Sequence, residues 1–211
     1  MVLSIIICTY NRVKFLEHCI NSILNQIQNK NNIELIVINN NSKDKTQEFL
    51  QKNNSKQLIH FIEKQQGLSY ARNKGIKVAS GRYLAFIDDD ATIGEKWLLS
   101  LINEIEKNKN KHIYGGPIYP VFEIECPKWV DENYFIRKFK NEDGYLDTLT
   151  AKDGFSGGNM CIPKAIFEKI GDFNVELGMQ GNELGLGEES ELFFRILNDD
   201  KDVKLYNIQE M

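Results

Sequence analysis

"LSIIICTYNR", residues Leu3 to Arg12, is an unbroken apolar run rich in β-branched residues that ends abruptly in polar ones. Such a run leaves no polar face for water, so it reads as a strand covered on both sides, as in a parallel sheet. After it, Val13 to Leu24 carries Phe15, Leu16, Cys19, Ile20, Ile23 and Leu24 at helical spacing, with Asn11 as the predicted N-cap. The pattern then repeats. "IELIVI" (Ile33 to Ile38) is a second buried strand, stopped by "NNNS" and followed by a helix from Lys43 to Gln51. "LIHFIE" is a third, and "GLSYARNKGIKVAS" after it is predicted as a helix closed by Gly81. "RYLAFI" is a fourth, ahead of a helix from Lys96 to Lys107. This alternation predicts an α/β fold, a Rossmann-like and mainly parallel central sheet with helices on both faces. Ligands of such sheets bind beyond the carboxyl ends of the strands, near a switch in strand order. The polar endings "TYNR", "NNNS" and "DDDA" are therefore expected to converge on one crevice.

The second half changes character. From Gly115 to Gly158, prolines, aromatics and irregular spacing predict a small antiparallel extension or long loops packed beside the sheet. Trp129, Tyr134 and Phe135 lie in this stretch; they could stack on a sugar ring, but core positions are the expectation. "SGGNMCIPKAIFEKIGDF" predicts a strand and a short helix starting near Pro163, and "GEESELFFRILND" a further amphipathic helix. No internal repeat is visible, and residues 1–211 read as a single domain.

Composition excludes several classes. The 211 residues are 42% hydrophobic and 27% charged with a net charge of −4, so no nucleic-acid partner is expected. The run "KNKNKH" (Lys107 to His112) reads as a solvated helix end. Cys8, Cys19, Cys126 and Cys161 are scattered without a CxxC, which predicts reduced thiols in a cytoplasmic protein and neither a zinc site nor disulfides. The start "MVLSIIICTYN" lacks a preceding basic region and a cleavage site, so neither a signal peptide nor a transmembrane segment is expected.

"LAFIDDDA" (Leu84 to Ala91) runs a strand straight into Asp88, Asp89 and Asp90. Side by side, these carboxylates cannot all stay ionised unless a cation or strong donors compensate. A helix dipole accounts for one acid but not for three. An EF-hand is excluded, since Ile93 stands where its glycine belongs and Leu99 where its bidentate glutamate belongs. A Walker B strand would need a GxxxxGK[ST] elsewhere, and none is present. Mg²⁺ or Mn²⁺, held by one or two of these carboxylates and completed by phosphate oxygens and water, fits better. "GLGEESELFFRI" places Glu188 and Glu189 in the first turn of a helix, where capping alone would account for them. The functional alternative is a general base approached through Gly181, Gly185 and Gly187. Taken together, a metal-bound phosphate site and a second carboxylate cluster describe transfer of a group off a diphosphate.

The pieces "SIIICTYNR", "ELIVINNNSKDKT", "GLSYARNKGI", "GRYLAFIDDDA", "FSGGNMCIPKAIFEKIGDFN" and "GEESELFFRI" occur together and in order over nearly the whole chain. In this the sequence resembles the inverting glycosyltransferases of family 2, with the GT-A fold. The resemblance implies a nucleotide-binding half over residues 1–110 and a donor-sugar and acceptor half over residues 111–211. It implies that Thr9, Tyr10 and Arg12 lie along the nucleotide, with Tyr10 near the base, and that Arg72 also reaches it. Asp88 and Asp89 would approach ribose and sugar. Asp90 would hold the metal as the last member of the DxD motif, with Asp88 as a second candidate ligand. Gly158 and Asn159 would line the donor-sugar side. Glu189 would be the base, with Glu188 placed for acceptor or sugar hydroxyls. The implied donor is a nucleotide-diphosphate sugar, a UDP-sugar in particular. The implied acceptor is a glycan or lipid-linked glycan of a bacterial surface polymer, met in the cytoplasm or at the inner face of the membrane by peripheral association.

Two departures stand out. Asn39 occupies the position where the family usually has an aspartate that reads the nucleobase, which puts nucleotide identity in doubt. The chain also stops at Met211, where relatives usually continue to a histidine that completes the metal site; His18, His60 and His112 do not occupy that position. The expectation is a C-terminally truncated chain, or a metal that relies on carboxylate, diphosphate and water. The alternative function is a non-catalytic nucleotide-sugar-binding domain. A nucleotidyltransferase ranks last, because "CTYNR" has no glycine-rich phosphate loop.

Overall fold

A computed structural model describes residues 1–53, 55–107, 112–139, 142–146, 154–181 and 183–211. Strands β1 (Leu3–Thr9), β2 (Ile33–Asn39), β3 (Leu58–Ile62) and β4 (Tyr83–Asp88) alternate with helices α1 (Val13–Ile27), α2 (Thr46–Lys52), α3 (Leu68–Val78) and α4 (Trp97–Lys107). β2 and β4 pair in parallel with β1 on its two edges, and β3 pairs in parallel with β2. The unbroken apolar runs have a direct cause: every residue of β2 is buried. Ile5, Ile7, Leu35, Val37 and Ala85 pack with α1 and α4 on one face, while Ile6, Ile36, Ile38, Leu84 and Phe86 pack with α3 on the other. Each such aliphatic side chain contributes roughly 1.5–3 kcal/mol on burial, against about 1 kcal/mol net for a backbone hydrogen bond. Two-sided coverage is thus what makes the run stable as a strand.

The second half joins the same sheet. β5 (Ile113–Gly115), β6 (Gly144–Tyr145), β7 (Asn159–Pro163) and β8 (Leu205–Asn207) complete an eight-stranded order of β3-β2-β1-β4-β7-β5-β8-β6. β7 is antiparallel to both β4 and β5, and β8 is parallel to β5. The antiparallel part is therefore inserted in the sheet and not laid beside it. β7, "NMCIP", is buried throughout and needs partners on both edges, which only an interior position supplies. Helices α5 (Lys164–Ile170) and α6 (Glu188–Asp199) cover the α3 face.

Several local expectations are corrected. Asn11 is not the N-cap of α1; it takes φ 56° and its Oδ1 accepts from Lys43 N at 2.6 Å, while Arg12 precedes the helix without a side-chain cap. Gly81 does not close α3, which ends at Val78 with Ala79 as its C-cap. Gly81 is there for close approach: a Cβ would strike the backbone and hydroxyl of Ser4, and its N–H donates to Ser4 Oγ at 2.8 Å. Pro163 stands one residue before α5 as its N-cap. Trp129 and Tyr134 are not core; they are 86% and 85% exposed, and Phe135 is also exposed. Their segment is held to itself by an isolated bridge between Ile118 and Arg137 outside the strands of the sheet. Residues 108–111 of "KNKNKH" lie outside the described residues.

Candidate active site

The chain runs from β1 outward through β2 to β3 and then returns to place β4 on the other edge of β1. That reversal splits the loops at the carboxyl ends of β1 and β4, and a cavity of about 590 Å³ opens there. Tyr10 and Arg12 after β1, Asn40 after β2, Asp88 at the end of β4 and Asp89 and Asp90 after it all line it. The convergence expected of the polar strand ends is present.

The aspartates are compensated in part from within the chain. Arg12 Nη1 donates to Asp89 Oδ1 at 3.2 Å and to Asp90 Oδ2 at 2.7 Å. Burial pushes the carboxyls of Asp88 and Asp89 above the usual range, with Arg72 opposing at Asp88 and Arg12 opposing at Asp89. Burial likewise pushes the Cys8 thiol, at the end of β1, up to about 12, so it stays protonated beneath the aspartates. Among the described residues no three His, Cys, Asp or Glu side chains converge as a metal cage. The side chains of Asp88 and Asp90 are nevertheless 49% and 44% exposed. Hard oxygens in that number suit Mg²⁺ or Mn²⁺, which accept one or two carboxylates and complete their shell with phosphate and water.

The second acid cluster opens α6. Glu188 is buried, and Arg72 Nη1 donates to its Oε1 at 3.0 Å, while Arg72 Nη2 donates to Glu189 Oε1 at 3.1 Å. The same Nη2 lies 3.9 Å from Asp88 Oδ1. One buried guanidinium thus joins the two acid clusters. Burial pushes the Glu188 carboxyl up, with the Glu189 charge adding to it and Arg72 opposing. Its Oε2 is buried and has no hydrogen-bond partner among the described residues. The glycines of "SGGN" make this packing possible: a Cβ on Gly157 would strike Arg72 and Glu189, and one on Gly158 would strike the Asp88 carboxylate. Gly158 thus packs on Asp88, and Gly157, which carries no expectation from the sequence, packs on Arg72 and Glu189; the doubled glycine is its signal.

Two expected site residues are not brought to the crevice. Asn39 is buried, with Nδ2 donating to Gln47 Oε1 at 2.9 Å and Oδ1 accepting from Ser42 N at 2.9 Å. Both ends of its amide hold the turn that starts α2. Asn159 is buried in β7 and bonds Trp97, Pro117 and Met211. Thr9 is buried at the floor. Asn40 was missed: its Nδ2 donates to Gln65 O at 2.6 Å and its Oδ1 accepts from Gly67 N at 2.8 Å, fixing the crevice wall to the start of α3. No helix among the described residues is long and apolar enough to cross a membrane.

Comparison with known proteins adds a family. A family model described as "Glycosyl transferase family 2" matches residues 4–171. The chain is 24% identical over 212 residues to a glucosyl-dolichyl phosphate glucuronosyltransferase of Haloferax volcanii, covering 99% of this chain and 67% of that protein. It is 36% identical over 123 residues to the minor teichoic acid biosynthesis protein GgaB of Bacillus subtilis, covering 55% of this chain and 13% of that one. Among solved structures it is similar to S. aureus TarS 1–349 in complex with UDP-GlcNAc, at TM-score 0.77 and 19% identity, over 100% of this chain and 59% of that chain. It is also similar to the mannosyltransferase PcManGT from Pyrobaculum calidifontis in complex with GDP-Man and Mn²⁺, at TM-score 0.65 and 15% identity, over 96% and 56%. The likeness to these structures is one of fold.

Proposed function

Because the chain belongs to glycosyl transferase family 2 and builds the mixed α/β sheet of the GT-A fold, we propose that it moves a sugar from a nucleoside-diphosphate sugar to an acceptor hydroxyl, with inversion at the anomeric carbon. Chief support comes from one relationship: Asp88 of the switch-point crevice and the Glu188–Glu189 pair all lie within 3.9 Å of the single guanidinium of Arg72, which brings the two acid clusters together. Single displacement needs acids in two places. The acceptor oxygen attacks the anomeric carbon while the bond from that carbon to the diphosphate oxygen breaks, and its electron pair leaves with the nucleoside diphosphate. The acceptor proton passes to Glu189, whose side chain is 24% exposed and so reachable. Glu188 orients sugar or acceptor hydroxyls with its free oxygen.

On the donor side we assign residues 1–110 to the nucleotide and residues 111–211 to sugar and acceptor. Thr9, Tyr10 and Arg12 lie along the nucleotide, Asp88 and Asp89 face ribose and sugar, and Gly158 leaves space for the sugar. Asp90, with Asp88, would hold a Mg²⁺ or Mn²⁺, which when bound neutralises charge on the departing diphosphate. A UDP-sugar donor draws support from the UDP-GlcNAc complex of TarS, and a surface-polymer or lipid-linked acceptor from the names of the relatives. We place the reaction in the cytoplasm, peripherally at the inner membrane face where the acceptor is lipid-linked.

The test is a thermal-shift panel of nucleotide sugars with and without Mn²⁺, followed by a transfer assay. A ligand at a hundred times its Kd stabilises the folded state by about 2.7 kcal/mol, so the donor stands out from its competitors. A UDP-sugar should raise the midpoint most, and more with Mn²⁺. A panel in which no nucleotide sugar moves the midpoint overturns the proposal.

A further inference from the structure

We propose that Arg72 is a positioning residue for the acceptor-side base, and not a contact of the nucleotide. The inference rests on the sugar-transfer function proposed above and names a further residue of that same site. Arg72 is 3% exposed, and both terminal nitrogens of its guanidinium already donate to carboxylates, so it has no open face to offer a nucleotide. Its guanidinium forks instead. Nη1 holds Glu188 at 3.0 Å and Nη2 holds Glu189 at 3.1 Å. A rigid planar fork with two donors aimed at two carboxylates is a job for arginine, which an ammonium on a flexible stem does not reproduce.

The fork is itself fixed from behind. The guanidinium carbon lies 5.2 Å from the centre of the Phe173 ring. The backbone of Phe173 is clamped at both ends by one side chain: its N–H donates to Asn73 Oδ1 and its carbonyl accepts from Asn73 Nδ2, each at 2.9 Å. Asn73 directly follows Arg72 on α3, so helix, ring and fork form one unit. In front, any side chain at Gly157 would strike both Arg72 and Glu189.

The consequence is a division of labour between the two glutamates. Arg72 draws Glu188 inward, to 5% side-chain exposure, and leaves Glu189 at 24%. It thereby selects which carboxylate takes the acceptor proton. Among the described residues, the other charged or titratable groups that act on it are Asp88 at the end of β4 and Cys8 in β1, and neither is a cation.

The experiment compares the full chain with Arg72→Lys, Arg72→Gln, Glu189→Gln and the double variant Arg72→Lys/Glu189→Gln. Circular dichroism melts confirm which of them fold. UDP affinity is measured in the presence of Mn²⁺, and turnover is measured as UDP released from UDP-GlcNAc, with water or an added glycan as acceptor. Misplacing a reacting group by an ångström costs on the order of 10²-fold, so Arg72→Gln should lower kcat by about that factor. Arg72→Lys should recover part of it, and UDP affinity should stay within about threefold of the parent in both, the loss lying in kcat. If Arg72 acts through Glu189, adding Arg72→Lys to Glu189→Gln should cost nothing further.

A loss of UDP affinity as large as the loss of turnover overturns the inference, as does an additive double variant. Should Arg72→Gln not fold, Arg72→Lys decides alone, and a parent-like kcat in it overturns the inference. A parent chain that binds UDP but releases none from the donor defeats the transfer function instead. Arg72 is then judged by the carboxyl carbon NMR signals of Glu188 and Glu189: Arg72→Lys must displace them, and unmoved signals overturn its positioning role.

Discussion

Trp97 Nε1 donates to Asn159 Oδ1 at 2.9 Å, and this buried bond ties the first turn of α4 to the middle of the sheet. Asn159 Nδ2 completes the arrangement by donating to Pro117 O at 3.2 Å and to Met211 O at 3.0 Å. A residue expected to line a sugar subsite is thus a buried junction of four chain segments. Asn159→Ala leaves an indole N–H and two carbonyls without partners. Each orphaned group costs about 1–3 kcal/mol, so urea unfolding should show a loss of at least that size. A parent-like midpoint would mean that the amide faces the crevice after all.

Asn39→Asp restores the residue usual in the family, yet a carboxylate cannot donate to Gln47 Oε1 as the Asn39 amide does. The expected outcome is a less stable protein, by about 1 kcal/mol, with UDP affinity changed by less than threefold. Calorimetric titration of UDP checks this. A tenfold gain in affinity would show that position 39 contacts the base.

Asp90→Ala should abolish the Mn²⁺-dependent part of UDP binding and leave the melting midpoint of the free protein near that of the parent, since Asp90 is half-exposed. Arg12→Gln should act in the opposite sense on the metal alone. Arg12 Nη1 already occupies Asp89 and Asp90, so removing that cation should tighten Mn²⁺ binding in the absence of nucleotide, read by electron paramagnetic resonance. Unchanged Mn²⁺ affinity in both variants would place the metal elsewhere.

Glu189→Gln keeps size and hydrogen bonding but removes the basic oxygen. Sugar transfer should fall by on the order of 10²–10⁴ while donor affinity stays unchanged. Transfer within a few-fold of the parent would move the role of base to Glu188.

Glu34 makes acid stability testable. Burial pushes its carboxyl up, but this is outweighed by donors at its Oε1: Ser4 Oγ at 2.5 Å, Ser80 Oγ at 2.7 Å and Ser80 N at 2.8 Å. The net effect is a value below the usual glutamate range. A carboxyl depressed by folding adds stability that is complete above its unfolded value and is lost as pH falls through its folded value. Glu34→Gln should therefore be less stable than the parent at neutral pH, with the gap closing in acid. A gap independent of pH, followed by urea unfolding across the acid range, would refute the assignment.

The parallel half and both acid clusters were legible because local pattern records burial. An apolar run such as Leu3 to Cys8 can satisfy itself only between two helical layers, and three aspartates at its neighbour's end stand out against any ordinary need for capping. What pattern does not record is the partner. Arg72 and Glu188 are 116 residues apart, and nothing near either residue announces that one guanidinium holds both glutamates. The amides of Asn39 and Asn159 look the same in sequence whether they face a ligand or a buried carbonyl. The insertion of β7 between β4 and β5 is likewise nonlocal, because it depends on which strand edges lie open in the folded sheet. Composition and periodicity determined that this chain layers helices on a sheet and gathers acids at its carboxyl edge; only tertiary packing decided which donors those acids meet, because hydrogen bonds and ion pairs depend on separation in space and not along the chain.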